Sequence, residues 1–599
     1  MTASAARPGA APAGTSAAAH QPFARPRARW VFPEPPDPAA VAALAAELRL
    51  PEPVCALLTA RGYSAPEDAK RYLRPKLDQL HDPSRLRGLD DAVERLARAV
   101  RDGETIMVHG DYDVDGICST TILTRSLRTF GAREVVPFIP RRIEDGYDLT
   151  MAGVRAAQAC GAKVVVTCDC GTSALGPIKA LCEAGIDVIV TDHHLPGGPL
   201  PDCLAVLNPK RPGCEYPDKD LAAVGVAFKL VLALARRLGA SENVAYHCLD
   251  LVALATVADI APLRGENRVF TRFGLKLLSE TRNLGLRALI RASGLEGKSL
   301  TAGRVGFILA PRLNALGRLG HALRGVELLL TGSEHEANAI ARETEELNRR
   351  RQEMDRATLA RAREMLAALD LERTYGIVLA EEGWHPGVIG IVASRVVEET
   401  GRPTVLVAID EKGEGKGSGR SIGAFDLHGG LAQCRDLLVR FGGHRAAAGV
   451  TIARENVADF ARRFNEVALA ALRPADLVPD LRVDLEISLD DASGDLESLL
   501  RHFEPFGMSN PAPVLVARGV RLAAPPRPVG SDGLRLRLAT ASGPLDAIGW
   551  GLAPRAGELS LDRPFDLAFR LERDEWNGES RLQARIADFR APGAGASTA

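Results

Sequence analysis

The 599-residue chain has no uninterrupted apolar stretch of about 18 residues, so no membrane-spanning helix and no membrane partner are expected. Neither sign of charge is in excess. Seventy-five basic and 76 acidic residues leave a net charge of −1, which excludes a global basic field. Any nucleic-acid contact must then be made by local grooves. Paired cysteines are also missing. The ten cysteines are scattered, and Cys168 and Cys170 flank Asp169 without the second pair that a zinc site needs. Reduced, buried thiols in a cytoplasmic protein are expected. The stretch through about Arg29 has no acid before Glu34 and lacks the amphipathic helix of a transit peptide. Rich in Ala, Pro and Gly, it reads as a disordered tail.

What is present is 46% hydrophobic and 25% charged, the balance of a soluble globular protein. The length is too great for one core, and roughly three to five domains are expected. Residues 38–75 read as helices. From 104 to 260 short β-branched runs near 105–109, 134–139, 163–168 and 187–191 alternate with amphipathic stretches such as 174–184. This is the βαβ rhythm of a parallel sheet covered on both faces. Residues 334–368 contain no Gly or Pro and read as one helix, about 50 Å long, a rigid spacer between two lobes. A second α/β region follows, with strands near 376–380 and 404–408, a helix at 387–399 and Gly-rich turns at 413–419 and 441–443. From about 475 alternating strands and Pro-rich turns, with a short helix near 495–503, fit a small β-barrel.

The chemistry centres on residues 104–116. The apolar run Ile106 to Val108 reads as a buried strand leading into His109, Asp111, Asp113 and Asp115, with Gly116 ending the element. Were the extended geometry to persist, the three carboxylates would share one face. Like charges so close require a cation among them, and a divalent ion is the natural partner. Three further sites end apolar runs: Asp169, the trio Asp192, His193 and His194, and Asp259. In an open parallel sheet the carboxyl ends of the strands form the ligand site, so the fold would converge these groups. Each site alone has a plain reading, as a cap, a polar turn or a helix stop. Their joint placement favours a metal centre.

The stretches HGDYDVDG, VVVTCDCGT, VTDHH and TVADIAPL resemble the four motifs of the DHH phosphoesterase superfamily. Within it the chain resembles the RecJ branch of single-strand-specific 5′→3′ exonucleases over about residues 45–595. IPRRIEDGYDL, PRLNALGRL, GVIGIVASR, GSGRS, FGGHRAAAG and FEPFGMSNPAPV carry that likeness.

The resemblance implies an α/β fold of two lobes, DHH and DHHA1, joined by the long helix, plus a C-terminal OB-fold β-barrel. It places a disordered tail at 1–37, a DHH domain with an N-terminal helical segment at 38–290 and a linking region at 291–370. A DHHA1 domain follows at 371–472, an OB-fold at 473–592 and a tail at 593–599. Asp113, Asp115, Asp169, His193 and Asp259 would hold two ions, Mn²⁺ or Mg²⁺, with Asp111 in their shell and His109 as a further ligand. His194 is the candidate for a supporting role behind the ligands or an acid role near the leaving oxygen. Ser418 and Arg420, with Arg142 and either Arg312 or Arg318, would form a 5′-phosphate pocket, and His444 would contact phosphate near the metals.

The OB-fold would guide single strands by cationic grooves and stacking. Aromatics are only 5% of the chain, so Phe503 and Phe506 read as barrel core, with Trp576 open between core and stacking. Arg349, Arg350 and Arg351 read as a solvated helix face or as lining of the strand path. The implied activity is metal-dependent degradation of single-stranded DNA to mononucleotides in recombination and repair. Single-strand-binding protein and recombination helicases are implied partners. A small-molecule phosphoesterase would need neither the long helix nor the OB-fold, and a non-catalytic scaffold would not need the full acidic set.

Overall fold

The computed structural model describes residues 27–576, 579–593 and 597–598; Trp576's side chain and most of the expected N-terminal tail lie outside the described parts. The chain divides into two compact units, one of 29–357 with 480 onward, the other chiefly of 358–479.

In the larger unit a five-stranded parallel sheet has the order Glu134–Phe138, Thr105–Gly110, Val164–Cys168, Asp187–Thr191, Ala205–Leu207. The near-continuous β-branched runs exist because both faces are covered, and the side chains divide with period two. Ile106, Val108, Val164 and Val166 join one core with the helices Leu89–Asp102, Val114–Thr129 and Ala223–Leu238. Met107, Val165, Val188 and Val190 join the other with Met151–Ala159 and Leu175–Glu183. The chain leaves Thr105–Gly110 toward one neighbour and returns to the other side, so a topological switch point lies between Thr105–Gly110 and Val164–Cys168. Ligand sites form at such points.

The extended geometry expected through Asp115 does not persist. The strand stops at Gly110, Asp113 becomes the N-cap of Val114–Thr129, and Gly116 sits in the first helical turn instead of ending the element. An Asp side chain that accepts backbone N–H groups competes effectively with strand continuation.

Residues 480 onward build a seven-stranded sheet, ordered Leu485–Glu486, Leu515–Val520, Phe565–Trp576, Glu579–Arg590, Leu545–Gly549, Gly533–Leu538, Leu522–Val529. Phe503 is its buried core and Phe506 packs on it. The N-terminal helices Pro38–Leu48, Glu52–Ala60 and Pro66–Leu73 share this core through Leu44, Leu57, Leu58 and Tyr72. Sequence adjacency places them with the DHH segment, yet their apolar faces are buried against the C-terminal sheet. Two pieces assigned to tails are strands: Arg29–Phe32 pairs with Asp480–Arg482 and with Ser597–Thr598. Trp30 explains the first, being buried and donating to Asp588 Oδ2 at 2.7 Å.

In the smaller unit a second sheet runs Arg440–Gly443, Ala447–Ala453, Glu414–Arg420, Thr404–Ile409, Ile377–Glu382. The glycine-rich stretches expected as turns are therefore two of its strands. Helix Ile389–Thr400 packs on the same unit, and helix Glu334–Ala367 crosses the division at Thr358. No helix among the described residues is long and apolar enough to cross a membrane.

Candidate metal centre

Three parallel strands deliver their first residue past the strand end in one line. Asp111 N–H donates to the Cys168 carbonyl at 3.1 Å, Asp169 N–H to Thr191 at 2.9 Å, and Asp192 N–H to Leu207 at 3.0 Å. The backbone ladder thus carries one residue beyond each strand and fixes the acids side by side. Asp169 takes φ +63°, a left-handed conformation unusual for a non-glycine residue and common where function requires it.

Ligand atoms lie within 4.8 Å of one another in three overlapping groups: Asp111, Asp113 and Asp169; Asp115, His193 and Asp259; Asp169, His193 and His194. Asp259 arrives from the C-terminus of helix Leu249–Ala258. His193 Nε2 approaches Asp169 Oδ1 at 3.2 Å and Asp259 Oδ2 at 3.7 Å. Yet Asp111 Oδ1, Asp169 Oδ1 and His193 Nε2 are buried without a hydrogen-bond partner. Orphaned buried groups aimed at a common space are costly unless something fills it. A hard divalent cation fits that donor set.

The electrostatics agree. Burial first, then the Asp113 charge, raises Asp115 to about 7; burial and crowded carboxylates raise Asp111, Asp169 and Asp259. Asp115 stays anchored because Ala223 and Val224 N–H, at the N-terminus of Ala223–Leu238, donate to its two oxygens at 2.9 and 2.8 Å, and Ser119 Oγ adds a third bond at 3.2 Å. Burial and the neighbouring His194 lower His193 to about 3, leaving it neutral and able to ligate. His194 moves the other way, to about 9, against burial, because its Nδ1 lies 2.7 Å from Asp192 Oδ1. Its Nε2 lies 3.2 Å from the Tyr147 hydroxyl.

His109, expected as a ligand, is in none of the three groups. Its ring is buried between Phe138 and Gly153, with Nδ1 at 3.6 Å from Cys170 Sγ, and burial lowers it to about 4. Its Nε2 is buried without a hydrogen-bond partner.

Asp192, expected at this site, acts as an orienting residue, and Thr172, Asn208 and Asp148, which were not expected, join it. Asp192 accepts from Thr172 N–H, His193 N–H and His194 N–H. Asn208, fully buried at the next strand end, donates to Thr172 Oγ1 and to the His194 carbonyl. Asp148 accepts from Gly171 N–H at 2.7 Å. The only signal was position: polar residues directly after strands or in the EDGYDL motif.

The proposed phosphate ligands separate. Arg142 lies over the Tyr112 ring at 4.7 Å and acts electrostatically on Asp111, and Arg318 acts on Tyr112. Arg312 is committed elsewhere: it holds Glu345 through Nε at 2.5 Å and Nη2 at 3.1 Å, and the Ile308 carbonyl through Nη1. In the smaller unit Arg420 Nη1 donates to Ser418 Oγ at 3.1 Å, and both side chains border Gly390 at the start of Ile389–Thr400. His444 stands on the exposed turn before Ala447–Ala453, its Nδ1 accepting from Ala446 N–H. Of the three helix arginines, Arg349 and Arg350 are exposed beside Glu346, whereas Arg351 is buried against Asn348.

Comparison with known proteins agrees with this geometry. Residues 105–256 match the DHH family N-terminal domain, 373–469 the DHHA1 domain and 483–588 the RecJ OB domain. The single-stranded-DNA-specific exonuclease RecJ of Bacillus subtilis is 38% identical over 564 residues, 94% of this chain and 70% of that protein. Crystal structures of Thermus thermophilus RecJ with Mn²⁺ and with Mg²⁺ superpose with TM-scores of 0.81 and 0.76. Their identities are 34% and 32%; each covers 95% of this chain, and the chain covers 80% and 79% of them. The chain belongs to the RecJ family.

Proposed function

We propose that this chain is a metal-dependent 5′→3′ exonuclease that degrades single-stranded DNA to mononucleotides in recombination and repair. The observation that carries the reading is the convergence of Asp111, Asp113, Asp115, Asp169, His193, His194 and Asp259 at the switch point, with three orphaned buried ligand atoms among them. Two bound Mn²⁺ or Mg²⁺ ions would supply an activated water and neutralise charge developing on the scissile phosphate. Asp113, Asp115, Asp169, His193 and Asp259 would hold them, Asp111 lying in their shell.

The protein's own contribution is distribution of protons and charge. Neutral His193 offers a lone pair. His194, protonated near neutral pH by its bond to Asp192, keeps a proton for the leaving 3′-oxygen. Asp192 and Asn208 fix the loop that carries both histidines. Arg142 supplies a cation beside Asp111. In the smaller unit, Ser418 and Arg420 form a hydroxyl–guanidinium pair suited to a terminal phosphate. His444 has Nε2 to offer a phosphate oxygen. Arg312 drops out of this set because Glu345 already engages its guanidinium. Single-strand-binding protein and recombination helicases enter as partners through family likeness alone.

The test uses an oligonucleotide labelled at its 3′ end, with Mn²⁺, with and without a 5′-phosphate. Stepwise shortening from the 5′ side, faster with the phosphate, is expected. An intact strand under conditions that cleave pyrophosphate or a dinucleotide would move the chain to small substrates.

A further inference from the structure

The FGMSN stretch has no role in the chemistry above, yet it packs against the turn that follows Asp259. Leu263 N–H donates to the Met508 carbonyl at 2.8 Å. A methyl group added to Gly507 would lie 2.6 Å from Leu263 Cδ1 and 3.2 Å from Cγ, so the two segments meet with no space between them. Asp259 and Leu263 bracket a short turn in which Ile260 takes φ +58°. A β-branched residue in that region is strained and persists only when its surroundings hold it.

What holds the 503–511 segment is Asn510, 4% exposed. Its Nδ2 donates to the Phe503 carbonyl at 2.9 Å and the Pro505 carbonyl at 2.8 Å. Its Oδ1 accepts from the Tyr72 hydroxyl at 2.8 Å and Arg61 Nη1 at 3.0 Å. All four hydrogen-bonding positions of the amide are therefore used. From the other side Arg268 donates to the carbonyls of Tyr72, His502 and Phe503.

We propose that Asn510 is a positioning residue of the metal centre: it closes the 503–511 segment, and the Met508 carbonyl and Gly507 then set the turn that aims Asp259 at the metal site. The proposal rests on Asp259 being a ligand. The C-terminal sheet then takes part in catalysis by orienting a carboxylate, in addition to any contact with the strand. Outer partners of ligands change metal affinity or activity by about 10- to 100-fold when lost.

The experiment uses the full chain and Mn²⁺ alone, followed by electron paramagnetic resonance without DNA. Gly507→Val presses on Leu263 while leaving every bond of Asn510 in place. It is expected to raise the Mn²⁺ concentration at half-saturation about tenfold, with binding of single-stranded DNA in EDTA unchanged. Adding Leu263→Ala removes the collision and restores Mn²⁺ binding. Asn510→Asp, which sets carboxylate oxygen against two carbonyls, produces the same loss. Mn²⁺ binding by Gly507→Val and Asn510→Asp that superimposes on the parent's, whatever the melting temperature does, overturns the proposal. A parent chain that binds no Mn²⁺ would instead refute the reading on which it rests.

Discussion

Asp115→Asn separates stability from activity, and its sign reverses with pH. In the metal-free protein Asp115 titrates near 7, against an ordinary value of 3.8, because burial and Asp113 disfavour its charge. A folded value above the unfolded one means that ionisation opposes folding. That penalty begins as pH rises past about 4 and is complete above about 7. At 1.36 kcal/mol per pH unit, raising the carboxyl from 3.8 to about 7 amounts to about 4 kcal/mol at pH 8 and less than half of that at pH 5.

Asn removes this penalty but turns an amide toward one of the Ala223 and Val224 N–H groups, which costs about 1–3 kcal/mol. In EDTA the variant should therefore melt level with or below the parent at pH 5, and above it at pH 8 by the equivalent of about 1–3 kcal/mol. Adding Mn²⁺ at about 100 times its dissociation constant should stabilise the parent by about 2.7 kcal/mol. The variant should gain much less and cleave nothing. Melting curves at the two pH values decide it: an equal loss of stability at both would refute the claim that crowded, buried charge awaits a cation here.

Asp113→Ala should abolish cleavage while strand binding persists, and loss of its N-cap bonds to Asp115 and Gly116 should lower helix stability by about 1 kcal/mol, read from melting. Arg420→Ala should weaken the preference for a 5′-phosphate roughly 10- to 100-fold, the value of a lost charge-assisted hydrogen bond, in a paired-oligonucleotide rate comparison. Arg312→Ala should leave that preference intact and lower the melting temperature, since its bonds are to Glu345 and the Ile308 carbonyl. Gly317→Ala would place a methyl 2.1 Å from the Tyr112 carbonyl, forcing helix Ala310–Leu319 off the Asp111–Asp113 segment, and should weaken Mn²⁺ binding about 10- to 100-fold in a titration. Affinity for single strands should fall with salt, with a log–log slope of about −0.7 for each phosphate contacted; a flat response would exclude a charged strand path.

Strands and acids were legible in the sequence because both follow local rules. Val164–Cys168 is a β-branched run, and a polar residue directly after such a run in a parallel sheet points to the ligand end. The long helix was legible from the absence of Gly and Pro. What escaped depended on partners distant in the chain. Asp113 as a cap needs the geometry of its own N–H acceptance, which spacing alone does not reveal. Asp115 is held by Ala223 and Val224, more than 100 residues away. His109 lies on strand Thr105–Gly110 just before the acids, and its ring packs beside Phe138 and Gly153. Arg312 carries the right charge but meets Glu345. Trp30 sits in an Ala/Pro-rich setting whose composition masked a buried anchor, and the N-terminal helices gave no sign of which core they would join.

The most direct measurement is equilibrium dialysis of the full chain against Mn²⁺, paired with cleavage of a 3′-labelled single strand by the same preparations. Two ions per parent chain are expected, with fewer for Asp169→Asn and cleavage lost in that variant. A parent chain that binds no Mn²⁺, or an Asp169→Asn chain that cleaves at the parent's rate, would contradict the account.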